Sequence, residues 1–172
     1  MNRFSTAKIC RAGIIASVYF ILTYFFQAIS FGPIQVRVAE ALTVLPLFFI
    51  ESVPALFVGC LIANFFSGFL VFDLTIGTSA TLIASLLTYL TGKIIKNKTL
   101  RFTFGILPPI LINAFAIPLV IWLSGGNEYT YFVQALIIGL GQTLAILPLG
   151  GLLYFSLCTL KANNPSSSIF KK

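Results

Sequence analysis

The sequence predicts an all-α integral membrane protein of six transmembrane helices with both termini cytoplasmic, and three observations carry that reading. Of 172 residues, 58% are apolar and 9% are charged, with a mean hydropathy of +1.02; a soluble domain of this size needs a far more polar surface. The apolar stretches are continuous and do not alternate with polar residues, so helices satisfy the backbone in a bilayer better than a barrel would. The basic residues cluster at three places between those stretches, which is the pattern of topology signals. A single membrane domain, residues 1–172, is expected.

The first span covers about residues 12–29, after Arg3, Lys8 and Arg11. It is too long for the apolar region of a signal peptide and is expected to stay as a span. A turn, Ser30-Phe31-Gly32-Pro33, follows. The second segment, about 36–50, is short and holds Arg37, Glu40 and Pro46. After Glu51 the third covers about 53–69, and Asp73 lies in a brief connection before the fourth, about 74–90. A basic loop with Lys93, Lys96, Lys98 and Arg101 leads to the fifth, about 104–123, which ends at Ser124-Gly125-Gly126-Asn127-Glu128. The sixth covers about 132–157, and a polar tail, 161–172, with Lys161, Lys171 and Lys172 is expected to be disordered.

Length alone would allow the second segment to be re-entrant. Charge parity decides for a span. The N-terminal basic cluster and the loop from Lys93 to Arg101 both belong in the cytoplasm, so an even number of crossings separates them. Two further crossings return the basic tail to the same side. Ten of the eleven Lys and Arg residues are then cytoplasmic, with Arg37 the exception.

Several function classes fall away. The net charge of +7 forms no single basic surface, so no nucleic-acid partner is expected. The chain has no histidine, and Cys10, Cys60 and Cys158 lack metal-type spacing, so no metal site is expected and the cysteines read as small apolar residues. No Gly-rich loop followed by Lys and Ser or Thr is present to bind a nucleotide, and no cofactor is implied. No internal repeat is evident.

Polar groups at membrane depth are costly and therefore informative. The expected topology puts Arg37, Glu40, Asn64, Asp73, Asn113 and Gln142 in the outer half, with Gln134 at the outer mouth and Thr75, Thr78, Ser79 and Thr81 entering the fourth span. Each has a structural alternative. Arg37 and Glu40, three apart, suit a helix pair or an interfacial position. Asp73 suits a helix N-cap. Asn64 and Asn113 suit interhelical hydrogen bonds, and Gln142, flanked by small residues, suits packing. Caps and interhelical bonds have no reason to avoid the inner half, so convergence on one side points to a polar pocket open to the outside. At the other end, Ala12 and Ala16 in Ala12-Gly13-Ile14-Ile15-Ala16 share a helical face that lets another helix approach, either within the chain or from a partner.

The run Phe31-Gly32-Pro33-Ile34-Gln35-Val36-Arg37-Val38-Ala39-Glu40-Ala41-Leu42-Thr43-Val44-Leu45-Pro46 resembles the hallmark segment of the queuosine-precursor transporter family. Gly59-Cys60-Leu61-Ile62-Ala63-Asn64 and Asp73-Leu74-Thr75-Ile76-Gly77-Thr78-Ser79-Ala80-Thr81-Leu82 are similar to its third and fourth spans. The likeness extends over about 12–153 and is most specific between Phe31 and Thr81; the fifth and sixth spans match mainly in length and hydrophobicity. It implies a substrate-binding S component of an energy-coupling-factor (ECF) transporter in a bacterial cytoplasmic membrane, surrounded by membrane lipid. A transmembrane coupling subunit and two cytoplasmic ATPases would supply the driving force, and the S component would topple to carry substrate inward. Ala12 and Ala16 match the motif such components use to touch the coupling subunit.

The ligand implied by the resemblance is a 7-deazaguanine base carrying an aminomethyl group. Its ammonium suits a carboxylate, and its guanine-like edge suits a carboxylate or an amide oxygen. Glu40 and Asp73 provide charge, and Asn64, Asn113 and Gln142 provide amides. Phe31, Phe72 and Tyr131 are the aromatics for stacking or closure, packing or interfacial anchoring being their alternative. Three rival readings stand: an S component for another vitamin or nucleobase, a ligand-free membrane scaffold, and a small intramembrane enzyme. The enzyme is disfavoured by four acidic residues spread over four segments.

Overall fold

The structure, a computed structural model, describes residues 6–32, 35–126 and 129–164. Among them every regular element is helical. In chain order these are α1 (Thr6–Phe25), α2 (Gln27–Ser30), a 3-10 helix (Val38–Leu47), α3 (Ser52–Asn64) and α4 (Leu70–Phe72). A π turn over Asp73–Gly77 joins α4 to α5 (Thr78–Ile94). Then come α6 (Lys98–Leu123) and α7 (Tyr131–Ala145), which a second π turn, Ile146–Gly150, joins to α8 (Gly151–Asn163).

Four helical stretches are long and apolar enough to cross a membrane: Thr6–Phe25, Asp73–Ile94, Lys98–Leu123 and Tyr131–Asn163. Val38–Leu47 and Ser52–Asn64 are shorter. The expected second segment is therefore a ten-residue 3-10 helix and not an α-helix. At about 2.0 Å per residue it rises roughly 20 Å, more than an α-helix of that length but less than the roughly 30 Å hydrocarbon core.

The helices also run beyond the apolar stretches that mark the expected spans. α1 begins at Thr6, through Lys8 and Arg11, because charged side chains at a helix end reach the interface while the backbone stays hydrogen-bonded. The Asn97 side chain caps α6, accepting from Thr99 N at 3.0 Å and Leu100 N at 3.4 Å. Lys161 still belongs to α8, so the expected disordered tail is helical as far as Asn163, and its residues 165–172 lie outside the described ones.

The 3-10 helix is the centre of the molecule. It packs against α1, α3, α5, α6, α7 and α8, and Ala39, Glu40, Ala41, Thr43, Val44, Leu45, Pro46 and Leu47 are all buried. One core cluster joins Ile15 and Tyr19 of α1 to Ala39 and Leu45 and to Leu56, Cys60 and Ala63 of α3. A second joins Val44 and Leu47 to Ile106, Ile146 and Tyr154. Close approach of α1 to α3 requires Gly59, where a Cβ would sit 2.8 Å from the Ala16 carbonyl oxygen and 2.9 Å from Tyr19 Cβ.

Polarity is inverted relative to a soluble bundle. Arg37, Glu40, Asp73, Asn64 and Gln142 are inside, while Leu136 (69% exposed) and Leu152 (71% exposed) face out. Such an apolar exterior suits lipid.

One end gathers Arg11, Glu51 and Arg101. Arg11 pairs with Glu51 at 2.5 Å and lies 4.4 Å from the centre of the Phe49 ring. Arg101 stacks on Phe48 at 5.2 Å, and the Tyr154 hydroxyl donates to the Lys98 carbonyl. At the opposite end Phe31, Gly32, Gln35, Phe69, Ile121, Gly126 and Gln134 line a cavity of about 210 Å³.

Candidate functional site

The 3-10 geometry lays the first wall of the site. With three residues per turn, positions three apart eclipse. Arg37, at the N-cap in an extended conformation, thus stands in register with Glu40 and Thr43. Thr43 Oγ1 donates back to the Glu40 carbonyl at 2.6 Å, tightening that turn. The helix pair that is the structural alternative for these two side chains is not among the ion pairs of the described residues. Arg37 Nη2 lies 3.8 Å from Asp73 Oδ1, and Glu40 Oε1 accepts from the Tyr19 hydroxyl at 2.7 Å.

Asp73 belongs to a helix and not to a loop. It opens the π turn between α4 and α5 and is fully buried. Its carboxylate caps no helix end: Oδ2 accepts from the Ser67 hydroxyl, and Oδ1 faces Arg37. Asn64, the last residue of α3, reaches across to the Asp73 carbonyl at 2.8 Å and Thr78 Oγ1 at 3.1 Å. It also reaches Cys60 Sγ at 3.5 Å. Gly77 leaves the space for this meeting, since a Cβ there would sit 3.1 Å from Asp73 Oδ1 and 3.3 Å from Asn64 Nδ2.

From the other side, Asn113 of α6 donates to Gln142 Oε1 of α7 at 3.4 Å and lies beside the Glu40 carboxylate. Arg37 is within electrostatic range of Tyr19, Cys60, Asp73 and Glu40. The six polar residues singled out in the sequence therefore form one buried cluster drawn from the 3-10 helix, α3, the first π turn, α6 and α7.

The cluster is left incomplete by its own side chains. Arg37 Nη2, Glu40 Oε2, Asp73 Oδ1, Asn64 Oδ1 and Gln142 Nε2 are buried without a hydrogen-bond partner among the described residues, as are Gln35 Oε1 and Ser30 Oγ. A buried polar atom left unpaired costs about 1–3 kcal/mol, more for a charged one. Two donor groups and three carboxylate or amide acceptors of the cluster, left without partners, complement a small molecule rich in both. Among the described residues no group of three or more His, Cys, Asp and Glu is placed to hold a metal ion.

Tyr19 and Ser67 belong to the cluster, and Gln35 lines the cavity beside Phe31, without having been singled out. Tyr19 had no signal, because an aromatic in an apolar helix reads as packing. Gln35 carries a backbone signal that only coordinates reveal: its φ of 49° is in the left-handed region, unusual for a residue with a side chain. Cys60 is buried in the core and also takes a weak hydrogen bond from Thr81 Oγ1 at 3.3 Å.

Of the aromatics, Phe31 lies 5.1 Å from the Arg37 guanidinium and lines the cavity of about 210 Å³ with Gln134. Tyr131 instead donates to the Phe115 carbonyl, tying α7 to α6, and Phe72 is half-buried. Ala12 and Ala16 are half-buried against the α1–α3 core, with Ala16 meeting Gly59 inside the chain.

A helical bundle with an apolar exterior and a buried, unsatisfied polar cluster has the build of a multi-pass membrane protein. The chain belongs to the QueT transporter family, whose model matches residues 9–159. Over 85 residues it is 39% identical to the queuosine precursor transporter QueT of Lactococcus lactis subsp. cremoris (strain MG1363). That stretch covers 48% of this chain and 50% of the relative, so the match spans about half the length of each. No solved structure matches the chain.

Proposed function

We propose that the protein is the substrate-binding S component of an ECF-type transporter in a bacterial cytoplasmic membrane, and that it captures 7-aminomethyl-7-deazaguanine from outside the cell. The observation that carries this reading is the set of buried, unpaired donors and acceptors around Arg37, Glu40, Asp73, Asn64 and Gln142 in a chain of the QueT transporter family. The base offers what those atoms lack: an ammonium, ring and exocyclic N–H donors, and a carbonyl acceptor. In this reading the cavity between Phe31 and Gln134 is the entrance from outside, with Phe31 lying between it and Arg37.

In this reading all six helical segments cross the bilayer, both termini are cytoplasmic, and the 3-10 helix and α3 are short spans sheltered by their neighbours. A separate coupling subunit and two ATPases drive release inward, and the protein performs no catalysis itself. Ala12 and Ala16 would meet the coupling subunit through the part of their face that α3 leaves open, where a Cβ added at Gly13 would point into open space.

The test is calorimetric titration of the detergent-purified protein with the aminomethyl base, with guanine and riboflavin as controls. Selective binding of the aminomethyl base supports the assignment. Selective binding of riboflavin or guanine would instead favour an S component for another vitamin or nucleobase, and no binding by a folded sample would favour a ligand-free scaffold.

A further inference from the structure

The chamber's charges do not balance. Among the described residues it holds one buried cation, Arg37 (2% exposed), against two buried carboxylates, Glu40 (1%) and Asp73 (0%). The remaining described acid, Glu51, is paired with Arg11 at the other end of the bundle, and Glu128 lies outside the described residues. Lys93, Lys96 and Lys98 are exposed near that same end and do not enter the chamber.

Distances divide the two carboxylates. Asp73 has the guanidinium 3.8 Å from Oδ1 and the Ser67 hydroxyl on Oδ2. Among the described residues Glu40 has neutral hydrogen-bonding neighbours, the Tyr19 hydroxyl on Oε1 and Asn113 alongside, with Oε2 unpaired; Arg37 acts on it through space while its ion pair is with Asp73. One guanidinium shared between two buried carboxylates leaves a negative charge in excess, which is expensive at membrane depth unless a further positive charge joins it. The surroundings of Asp73 are different in kind. Asn64 hydrogen-bonds the Asp73 carbonyl, and Asp73 Oδ1 and Asn64 Oδ1 are acceptors without a hydrogen bond among the described residues, suited to uncharged N–H groups.

We infer that the chamber selects a monocation, with Glu40 as the counter-charge that Tyr19 positions, and that Asp73 reads an uncharged donor edge of the same ligand. The inference rests on the ligand-binding reading above and deepens it. It assigns different tasks to two acids that look equivalent in the sequence. Glu40 discriminates charge, and Asp73, already compensated by Arg37, contributes affinity without regard to the ligand's charge.

The experiment compares two near-isosteric ligands, the aminomethyl base and its neutral hydroxymethyl analogue, by calorimetry on the wild type, Glu40→Gln and Asp73→Asn. The wild type is expected to prefer the cation by roughly 10- to 100-fold, the range for a charge-assisted contact. Glu40→Gln should bring that preference close to unity while leaving the neutral analogue bound. Asp73→Asn should weaken both ligands and leave the preference standing. Equal wild-type affinity for the two would overturn the inference while leaving the deazaguanine reading intact, and would mean that Glu40 carries a proton. Binding of neither would overturn both. Loss of the preference in Asp73→Asn but not in Glu40→Gln would overturn the division of roles. The wild-type comparison decides the charge question even if a variant fails to fold.

Discussion

The Tyr19 hydroxyl donates to Glu40 Oε1 at 2.7 Å, joining α1 to the 3-10 helix across 21 residues of sequence. Both side chains are buried. The Tyr19 ring packs in the same cluster as Leu56 and Cys60, so one residue locks α1 onto α3 and orients a carboxylate of the chamber. Packing and the polar cluster are coupled at this point.

Tyr19→Phe separates the two roles. The ring and its contacts remain, while Oε1 of Glu40 loses its donor. Affinity for the aminomethyl base is expected to fall about 10-fold, with the protein still folded by thermal unfolding in detergent. Unchanged affinity would remove Tyr19 from the binding apparatus.

Gly59→Ala strikes the same contact from the α3 side. A Cβ placed 2.8 Å from the Ala16 carbonyl and 2.9 Å from Tyr19 Cβ meets backbone, which cannot swing away. The helices must separate, at an expected cost of about 1–3 kcal/mol, read as a lowered unfolding midpoint. Weakened ligand binding is expected as well, because the displacement carries Tyr19 from Glu40.

Gln35 holds a left-handed backbone (φ 49°) while burying its side chain with Oε1 unpaired. Such a conformation costs a side-chain-bearing residue about 1–2 kcal/mol. Gln35→Gly removes that strain and the acceptor together. It should keep or raise thermal stability while lowering ligand affinity. A loss of stability with affinity retained would show that Gln35 serves packing alone.

Topology is open to single-cysteine labelling in a cysteine-free background. Lys96→Cys lies in the exposed connection between α5 and α6, and Tyr129→Cys, at a half-exposed position, precedes α7. In intact cells an impermeant thiol reagent is expected to modify Tyr129→Cys, and Lys96→Cys only after the membrane is opened. The reverse pattern would invert the proposed orientation.

Much of the chamber was legible because polar residues are conspicuous in a chain this apolar. Arg37, Glu40, Asn64, Asp73, Asn113 and Gln142 stood out against their surroundings, and the fold brings all six together. Their partners were less visible. Hydropathy does not distinguish a 3-10 helix from an α-helix, so the register that aligns Arg37 with Glu40, and the pairing of Arg37 with Asp73, lay beyond it. Asp73 read as a connection or a cap because a π turn inside a continuous helix leaves no compositional mark. Ala12 and Ala16 announced a close helix approach without naming the neighbour, and the structure supplies Gly59 for Ala16.

The most direct test of the account is an experimental structure of the protein with the aminomethyl base bound. The ammonium is expected beside Glu40 Oε2, and the donor edge of the ring against Asp73 Oδ1 and Asn64 Oδ1, so that atoms unpaired in the empty chamber acquire partners. A ligand seated elsewhere, for example in the apolar groove of Leu111, Phe115, Leu136 and Leu140 on α6 and α7, with those atoms still unpaired, would contradict it.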